Sequence, residues 1–410
     1  MVSLDPARPL PGRRFARAAL CLYHRHMQYR DFGRIDFKPS ALGFGAMRLP
    51  VLTDADGRPE FKRIDYPAAT AMLRRAIEGG VNYVDTAWMY HEDTCETWLG
   101  EALKGGYRER VKIATKMPVW NVKKPDDFER ILGIQLERLQ EEHIDFYLLH
   151  ALDAPHWTNV VEQGQLAAAE RALADGRIGH LGFSFHGNYE DFEEILAATD
   201  IWEFCQIQFN YMDEDYQAGR RGLELAAGKG LGVIVMEPVR GGALARNVPP
   251  QVQALWDAAP VGRSPAEWAL QWVWNEPAVS FLLSGMSTMQ HVEEDLVYAD
   301  RSRRGLLDAE ELALVCRVRD VYRELSPIPC TSCRYCMPCP QGVAIPDVFE
   351  FYNDAHVYDD LPRRQWAYNA FMSESERADQ CTACGDCLDK CPQDIDIPTW
   401  MEKAQAFLAG

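Results

Sequence analysis

Short runs of apolar, β-favouring residues alternate with longer segments of helical periodicity through most of the chain. The strands predicted from these runs are 41–47, 81–85, 111–116, 144–150, 178–184, 204–209, 232–236 and 279–284. Apolar residues that recur every three or four positions predict helices at 66–78, 92–103, 126–142, 160–174, 189–198, 213–227 and 265–274. Eight such alternations, with crossovers that suit parallel strands, predict a (β/α)₈ TIM barrel.

Three of these strands end in a polar residue. They end at Asp85, Lys116 and His150, and Tyr90 follows Asp85 by five positions on the next loop. Because parallel strands present their carboxyl ends at one rim of a barrel, we expect the four side chains to meet there. Each of them alone is explained as well by packing as by catalysis, but the four together favour a catalytic site.

The four residues also resemble a known family. Asp85-Thr-Ala-x-x-Tyr90, followed by Lys116 and His150, is similar to the Asp, Tyr, Lys, His tetrad of the aldo/keto reductase superfamily, over roughly residues 27–300. The resemblance implies reduction of a carbonyl, or oxidation of an alcohol, by hydride transfer with NADP or NAD. Tyr90 would be the general acid and base, Lys116 would make its phenol more acidic, Asp85 would orient Lys116, and His150 would bind the substrate oxygen.

The resemblance also implies a cofactor site on later strands and loops. Its residues would be Ser184, Gln208 and Asn210 for the nicotinamide, Gly241 and Gly242 for the pyrophosphate, and Gly285, Thr288, His291 and Glu294 for the adenosine end. Many relatives carry a lysine and an arginine where Gly285 and His291 stand, and those cations bind the 2′-phosphate of NADP. The choice between NADP and NAD therefore stays open, with NADP slightly favoured.

Two further features follow from position in the chain. The segment 29–37 reads as a hairpin, which relatives use to plug the barrel floor. Four side chains on loops above the rim are candidates for an aromatic substrate pocket, although loop packing explains each of them equally well: Trp88, Met89, His91 and Trp120.

A second chemistry is indicated by cysteines near the carboxyl end. Of the twelve cysteines in the chain, eight form two runs that each end in Cys-Pro: Cys330, Cys333, Cys336 and Cys339, then Cys381, Cys384, Cys387 and Cys391. The second run has the spacing of bacterial ferredoxins, which predicts one or two [4Fe–4S] clusters in a small, mostly helical ferredoxin-like domain. Zinc is the alternative, since paired Cys-x₂-Cys motifs also form zinc ribbons.

If the runs exchange their last ligand as two-cluster ferredoxins do, each cluster takes three cysteines from one run and one from the other. One set would be Cys330, Cys333, Cys336 and Cys391, and the other would be Cys381, Cys384, Cys387 and Cys339. The first run is one residue shorter than the pattern before Cys339, which leaves the exchange open. Cys21, Cys95, Cys205 and Cys316 are scattered, which suggests structural roles.

Composition sets the remaining limits. A net charge of −18 argues against nucleic acid as a partner, and no apolar run is long enough to span a bilayer. Residues 1–26 lack the long apolar core of a secretory signal and are expected to be a disordered extension. We therefore expect a cytoplasmic protein with a barrel over 27–325 and an iron–sulfur domain over 326–410.

Three functions fit this combination. The first is an NAD(P)H-dependent carbonyl reductase that carries clusters for stability or redox sensing. The second is a reductase that takes single electrons from a ferredoxin partner and passes them through the clusters to a substrate in the barrel. The third is an electron-transfer or regulatory binding module without catalysis. We expect the first, with a small-molecule carbonyl or alcohol as substrate.

Overall fold

The computed structural model describes residues 27–56, 59–330 and 335–410, so the predictions for residues 1–26 and for Cys333 lie outside the described residues. The strands in chain order are β1 Leu42–Gly45, β2 Val51–Thr53, β3 Pro59–Ile64, β4 Tyr83–Asp85, β5 Lys112–Pro118, β6 Ile144–Leu152, β7 Ile178–Phe185, β8 Phe204–Gln208, β9 Gly232–Met236 and β10 Phe281–Ser284. All except β2 and β3 close into a parallel barrel in the order β1-β10-β9-β8-β7-β6-β5-β4, which confirms the predicted fold.

Helices cover the outside of the barrel. They are α1 Tyr66–Glu78, α2 Cys95–Ala102, α3 Asp127–Leu139, α4 Ala154–Glu162, α5 Gln165–Ala174, α6 Tyr189–Ala198, α7 Gly219–Gly228, α8 Pro250–Asp257, α9 Pro265–Asn275, α10 Met289–Asp300 and α11 Ala309–Glu324. Their ends follow local chemistry: Asp65 caps α1 by accepting a hydrogen bond from the Ala68 amide, and Asp308 and Glu311 form a capping box at the start of α11. No helix in the described ranges is long and apolar enough to cross a membrane.

The structure corrects several predicted elements. The predicted helix 160–174 is two helices, because Gly164 adopts a φ of 66° between them. The predicted helix 92–103 begins only at Cys95, because residues 91–93 have φ values of 52°, 50° and 69°, which a right-handed helix excludes. The antiparallel hairpin of β2 and β3 was not predicted, because its strands are short and mostly exposed and so lack a regular apolar alternation.

The floor of the barrel is closed by the segment before β1, as the resemblance implied. Antiparallel bridges join Tyr29 to Ser40 and Phe32 to Ile35, and the fully buried Phe32 ring lies against Phe146 inside the barrel, with 5.5 Å between ring centroids. Phe32 therefore fills the bottom of the barrel with apolar volume and leaves the opposite mouth as the open end.

Gly33 has no room for a side chain at this floor. Its φ is +56°, and a Cβ atom there would lie 2.3 Å from the backbone nitrogen of Gly232. We expect Gly33→Ala to reduce the free energy of unfolding by about 2–4 kcal/mol, because both the backbone strain and the backbone contact oppose the substitution. Urea denaturation measures the change.

The matched control is Gly305→Ala, because Gly305 has a φ of +67° and nothing within 4 Å of the added carbon. This variant should lower the free energy of unfolding by only about 1 kcal/mol, because only the strain of the left-handed conformation opposes it. Equal losses in the two variants would show that close packing at the floor contributes nothing.

The carboxyl-terminal region forms a small helical unit with its own core. Its helices are α12 Ile345–Val357, α13 Leu361–Phe371 and α14 Ile397–Leu408. Their buried side chains, including Val348, Phe349, Met401 and Leu408, pack on one another apart from the barrel core, which confirms the predicted mostly helical domain. The predicted boundary at 325/326 falls between the end of α11 and the first residue of this core, Ile328.

This domain lies over the carboxyl-terminal end of the barrel, and Arg240 makes ion pairs to both. Arg240 follows β9, and its guanidinium pairs with Asp213 of the barrel at 3.3 Å and with Glu350 and Asp354 of α12 at 2.6 and 2.7 Å. Burial, with several acidic neighbours, raises the pKa of Glu350 to about 7 even though Arg240 lies beside it. Truncating Arg240 would leave Asp213 and Glu350 without this cation, whereas Arg364 would still pair with Asp354 at 3.0 Å.

Candidate active site

The four side chains expected to meet do meet at the carboxyl-terminal mouth. Asp85 ends β4, Lys116 and His150 lie near the ends of β5 and β6, and Tyr90 stands on the loop after β4. Lys116 Nζ donates hydrogen bonds to Asp85 Oδ1 at 2.6 Å and to Tyr90 Oη at 3.1 Å. The Tyr90 and His150 rings are 6.1 Å apart between centroids. The closed barrel therefore joins an acid, a cation, a phenol and an imidazole.

The charge of Lys116 is fully enclosed by protein. Its side chain is 1% exposed, and the carbonyl oxygen of Thr86 accepts a third hydrogen bond at 2.8 Å. Burial lowers the pKa of Lys116, but Asp85 and Tyr90 outweigh burial and raise it above its usual value. Burial raises the pKa of Asp85, against the opposing effect of Lys116. Lys116 is thus a fixed ammonium with all three of its protons directed at oxygen atoms.

The net pKa of Tyr90 differs from the expectation that Lys116 makes its phenol more acidic. Lys116 lowers the pKa, as expected, but burial in the mouth has the larger effect and Asp85 adds to it, so the pKa of Tyr90 is raised. Tyr90 therefore carries its proton and can donate it. Burial first, and then the charge of Lys116, hold the pKa of His150 well below its usual value, so the imidazole is neutral.

Of the four loop residues above the rim, some are exposed at the mouth and others pack against the protein. Trp120 is 37% exposed and lies 5.1 Å from the His150 ring, so it forms a wall of the mouth. Met89 is also exposed, whereas His91 is buried and its Nδ1 bonds the carbonyl oxygen of Phe61 at 2.9 Å. Trp88 lies under the guanidinium of Arg138 on the barrel side. Of these loop residues, Trp120 is the one with a ring contact to His150.

The residues expected at the nicotinamide share the same side of the mouth. Ser184 on β7 is buried, and its Oγ accepts a hydrogen bond from the Ala151 amide. Gln208 and Asn210 both donate to Asp213 Oδ2, at 3.0 and 2.8 Å. Asn210 also accepts hydrogen bonds from two backbone amides, so its amide organises the loop after β8.

Two more loops approach each other next to this side. Gly241 and Gly242 have φ values of 63° and 91° in the loop after β9, and Gly285 follows β10. Arg48, just after β1, connects them: its alkyl chain lies against Gly285, and its Nη2 is 2.7 Å from Glu237 Oε1 and close to Gly241. The two segments that the resemblance assigns to the pyrophosphate and the adenosine therefore lie next to each other, on either side of Arg48.

The first turn of α10 carries the remaining expected residues. Thr288 caps the helix by accepting a hydrogen bond from the His291 amide at 3.2 Å, and both residues are exposed. Glu294 accepts a hydrogen bond from Gln290 one turn earlier. A helix amino terminus with open amides is a favourable position for a phosphate group.

Four cysteines from both runs surround one cavity in the tail. Cys339 of the first run and Cys381, Cys384 and Cys387 of the second line it together with apolar side chains that include Val343, Ile345 and Met401. Burial raises the pKa of Cys387, and the three other cysteines add to that rise because their thiolates would repel it. The thiols surround a space rather than meet at one point, which fits the core of a cluster.

The other cysteines of the runs lie nearby. Cys330, Cys336 and Cys391 pack against the same small core, and Cys333 lies outside the described residues. Cys95 and Cys205 are buried, and burial raises the pKa of both thiols, so neither is a reactive cysteine. Cys21 also lies outside the described residues.

Comparison with known proteins decides the family. A model of the aldo/keto reductase family matches residues 41–315, more than half of the chain. The chain belongs to the aldo/keto reductase family. Members of this family are oxidoreductases, which confirms the predicted enzyme class. A second model, of a 4Fe-4S dicluster domain, matches residues 329–395 and confirms an iron–sulfur domain in place of a zinc ribbon.

Individual relatives agree with this assignment. The chain is 40% identical to human aflatoxin B1 aldehyde reductase member 2 over 146 residues, which is 34% of this chain and 40% of that protein. It is 28% identical to the uncharacterized oxidoreductase C215.11c of Schizosaccharomyces pombe over 64% of this chain and 82% of that protein. The chain thus spans about two fifths of the length of the human reductase.

Solved structures match over the barrel. The aldo-keto reductase AKR11C1 from Bacillus halodurans in its holo form is 26% identical, with a TM-score of 0.57, over 72% of this chain and 96% of that chain. An aldo/keto reductase from Klebsiella pneumoniae in complex with NADP and acetate is 25% identical over the same shares, with the same TM-score.

Sequence reasoning missed several side chains at the mouth of this aldo/keto reductase. Arg48 could have been found, because it directly follows the first strand and must lie on the rim. Arg363 could not, because it comes from the tail and meets the loop after β9 only in the folded protein.

A buried acid lies beneath the adenosine segment. Asp295 on α10 is 7% exposed, and its Oδ2 accepts a hydrogen bond from Ser284 Oγ at 2.6 Å. Burial raises the pKa of Asp295 to about 7, and Glu294 adds to the rise while the Ser284 bond opposes it. The folded protein thus binds the proton of Asp295 more tightly than the unfolded chain does.

This predicts a pH-dependent stability. Between about pH 4 and about pH 7 the unfolded chain loses the Asp295 proton first, so the wild type loses stability as the pH rises through that window. Asp295→Asn should remove this loss. The free energy of unfolding of the variant, relative to that of wild type, should therefore be about 2 kcal/mol higher at about pH 8 than at about pH 5. Urea denaturation at both pH values measures it. The control is Asp200→Asn, which changes an exposed acid. Its free energy of unfolding should differ from that of wild type by the same amount at both pH values.

Proposed function

We propose that this chain is an NAD(P)H-dependent oxidoreductase that reduces a small-molecule carbonyl, or oxidises the corresponding alcohol, by hydride transfer. The observation that carries the proposal is the contact of Lys116 Nζ with both Asp85 and Tyr90 at the barrel mouth. A buried ammonium that touches a phenol stabilises the phenolate left after proton transfer, which is the requirement of an acid and base at this position.

The nicotinamide supplies the hydride when it is bound. Tyr90 donates its proton to the substrate oxygen as negative charge develops there, and Lys116 stabilises the resulting phenolate across 3.1 Å. Neutral His150 keeps an N–H group to hydrogen-bond the same oxygen, because its low pKa prevents it from becoming a competing cation. Asp85 holds Lys116 in place, and Trp120 beside His150 excludes water from one side.

The cofactor would lie between the loops that adjoin Arg48. Its proposed contacts are Ser184, Gln208 and Asn210 for the carboxamide, Gly241 and Gly242 for the pyrophosphate, and Gly285, Thr288, His291 and Glu294 for the adenosine end. We favour NADP over NAD, because the related Klebsiella enzyme is in complex with NADP.

We further propose the exchanged ligand arrangement for the clusters. One cluster takes Cys339, Cys381, Cys384 and Cys387, which line one cavity. The other takes Cys330, Cys333, Cys336 and Cys391. A reducing compartment such as the cytoplasm preserves such thiolates and is the proposed location. No nucleic acid or membrane partner enters the proposal.

A ferredoxin-coupled reductase is the second candidate, favoured by one observation. The tail lies over the barrel mouth, so a cluster domain that accepts single electrons adjoins the proposed substrate site. In that reaction Tyr90 would still supply a proton, but electrons would reach the substrate through the clusters. An external electron partner would then be required for turnover.

The acid and base role is tested by Tyr90→Phe. Loss of the phenol proton should reduce kcat for NADPH-driven reduction of a test aldehyde by about 10²–10⁴-fold, while the dissociation constant for NADPH changes little. Steady-state kinetics and fluorescence titration measure the two. Tyr66→Phe, at an exposed tyrosine of α1, is the control and should keep full activity. Full activity in Tyr90→Phe would contradict the assigned role.

The role of the clusters is tested by Cys384→Ser in anaerobically purified protein. Iron and sulfide content should fall, because Cys384 lines the cluster cavity, while aldehyde reduction at saturating NADPH should continue in the variant whose fold is retained. Cys316→Ser, at an exposed cysteine on α11, should leave both unchanged. Loss of turnover together with iron, and bleaching of the wild-type cluster absorbance by NADPH, would instead support the ferredoxin-coupled reductase.

A further inference from the structure

A tail arginine reaches the loop proposed for the pyrophosphate. Arg363 lies in the first turn of α13, and its Nη1 donates a hydrogen bond to the carbonyl oxygen of Gly241 at 2.8 Å. A methyl group at Gly241 would lie only 2.6 Å from Arg363 Nη2. The backbone of this loop and the guanidinium of the tail are therefore in direct contact.

Two barrel arginines surround the same position. Arg48 Nη2 lies 3.0 Å from the place that a Gly241 Cβ would occupy, and Arg246 Nη2 lies 3.3 Å from the corresponding place at Gly242. Glu237 pairs with Arg48, and Asp360 lies 3.6 Å from Arg246. Three guanidinium groups, from three separate parts of the chain, thus stand around two glycines.

The positive charge of Arg363 is incompletely neutralised. Among the residues that the structure describes, no carboxylate lies within ion-pair distance of its guanidinium, although the side chain is half-buried. Burial, and then repulsion by Arg48, Arg246 and Arg364, lower the pKa of Arg363 to about 10, while Glu237 opposes them. A half-buried cation that faces other cations is costly unless an anion joins them.

We propose that Arg363 of the iron–sulfur domain binds the pyrophosphate of the nicotinamide cofactor, so that barrel and tail form the cofactor site together. The proposal rests on the proposed function, which gives the loop at Gly241 and Gly242 to that group. A diphosphate would accept hydrogen bonds from Arg363 and from the adjacent arginines, and it would supply the negative charge that Arg363 lacks. It follows by linkage that cofactor binding strengthens the docking of the tail, and that docking strengthens cofactor binding.

The test is the binding of NADPH and of NADH to Arg363→Gln. The dissociation constant for both nucleotides should rise about 10- to 100-fold relative to wild type, because both carry the pyrophosphate. Isothermal titration calorimetry measures it without turnover. Arg363→Lys should recover part of the affinity, because it keeps the charge.

The matched control is Arg377→Gln. Arg377 is a tail arginine whose guanidinium bonds the carbonyl oxygens of Met372 and Asn369 inside the same domain. This variant should bind both nucleotides as wild type does. Iron content should equal that of wild type in all variants, so that loss of the folded tail is recognised.

A second measurement reports the docking itself. Addition of NADPH to the wild type should slow hydrogen exchange in α13, and Arg363→Gln should abolish that protection, while α5 on the outside of the barrel is unaffected in both. Wild-type affinity in Arg363→Gln would overturn the inference. Weaker binding of NADPH with unchanged binding of NADH would overturn it as well, because the lost contact would then be to the 2′-phosphate. Failure of the wild type to bind either nucleotide would refute the proposed function itself.

Discussion

The buried charge of Lys116 is the constraint on which the mouth of the barrel depends. An ammonium that is 1% exposed is stable only if each of its protons meets an oxygen atom. Asp85, the carbonyl of Thr86 and the phenol of Tyr90 supply the three acceptors. That requirement fixes the end of β4 beside β5 and holds Tyr90 over both. The same contacts that satisfy Lys116 hold Tyr90 in the position from which we propose that it transfers a proton.

A second buried cation joins the two parts of the chain. Arg240 leaves β9 and meets Asp213 of the barrel together with Glu350 and Asp354 of the tail. Since Asp213 also accepts hydrogen bonds from Gln208 and Asn210, the contact with the tail continues into the loop after β8. Displacement of the tail would therefore disturb the side of the mouth where we place the nicotinamide.

The position of the tail bears on how two kinds of redox chemistry share one chain. A nicotinamide transfers two electrons as a hydride, whereas an iron–sulfur cluster transfers one electron at a time. A tail that only stabilised the barrel could dock anywhere on its outside, but α12 and α13 meet the loop after β9 at the mouth. This location permits the domain to respond to the cofactor, or the cofactor to respond to the domain, without electrons passing between them.

The sequence by itself determined the barrel, the four polar residues at its mouth and the iron–sulfur class of the tail. Each of these depends on local periodicity or on short spacings: an apolar run that ends in Asp85, Lys116 or His150, and cysteines three residues apart. The predicted helix boundaries were less accurate where the backbone leaves the helical conformation. Residues 91–93 and Gly164 have positive φ values that interrupt two predicted helices.

Only the tertiary structure decided the net pKa of Tyr90, the gathering of cysteines from both runs around one cavity and the contact of Arg363 with Gly241. Tyr90 lies next to a cation, which alone would make it more acidic, but burial outweighs that effect, and burial is a property of the whole mouth. Arg363 and Gly241 are 122 positions apart. No periodicity relates residues at that separation, because their contact depends on how two independently packed cores dock.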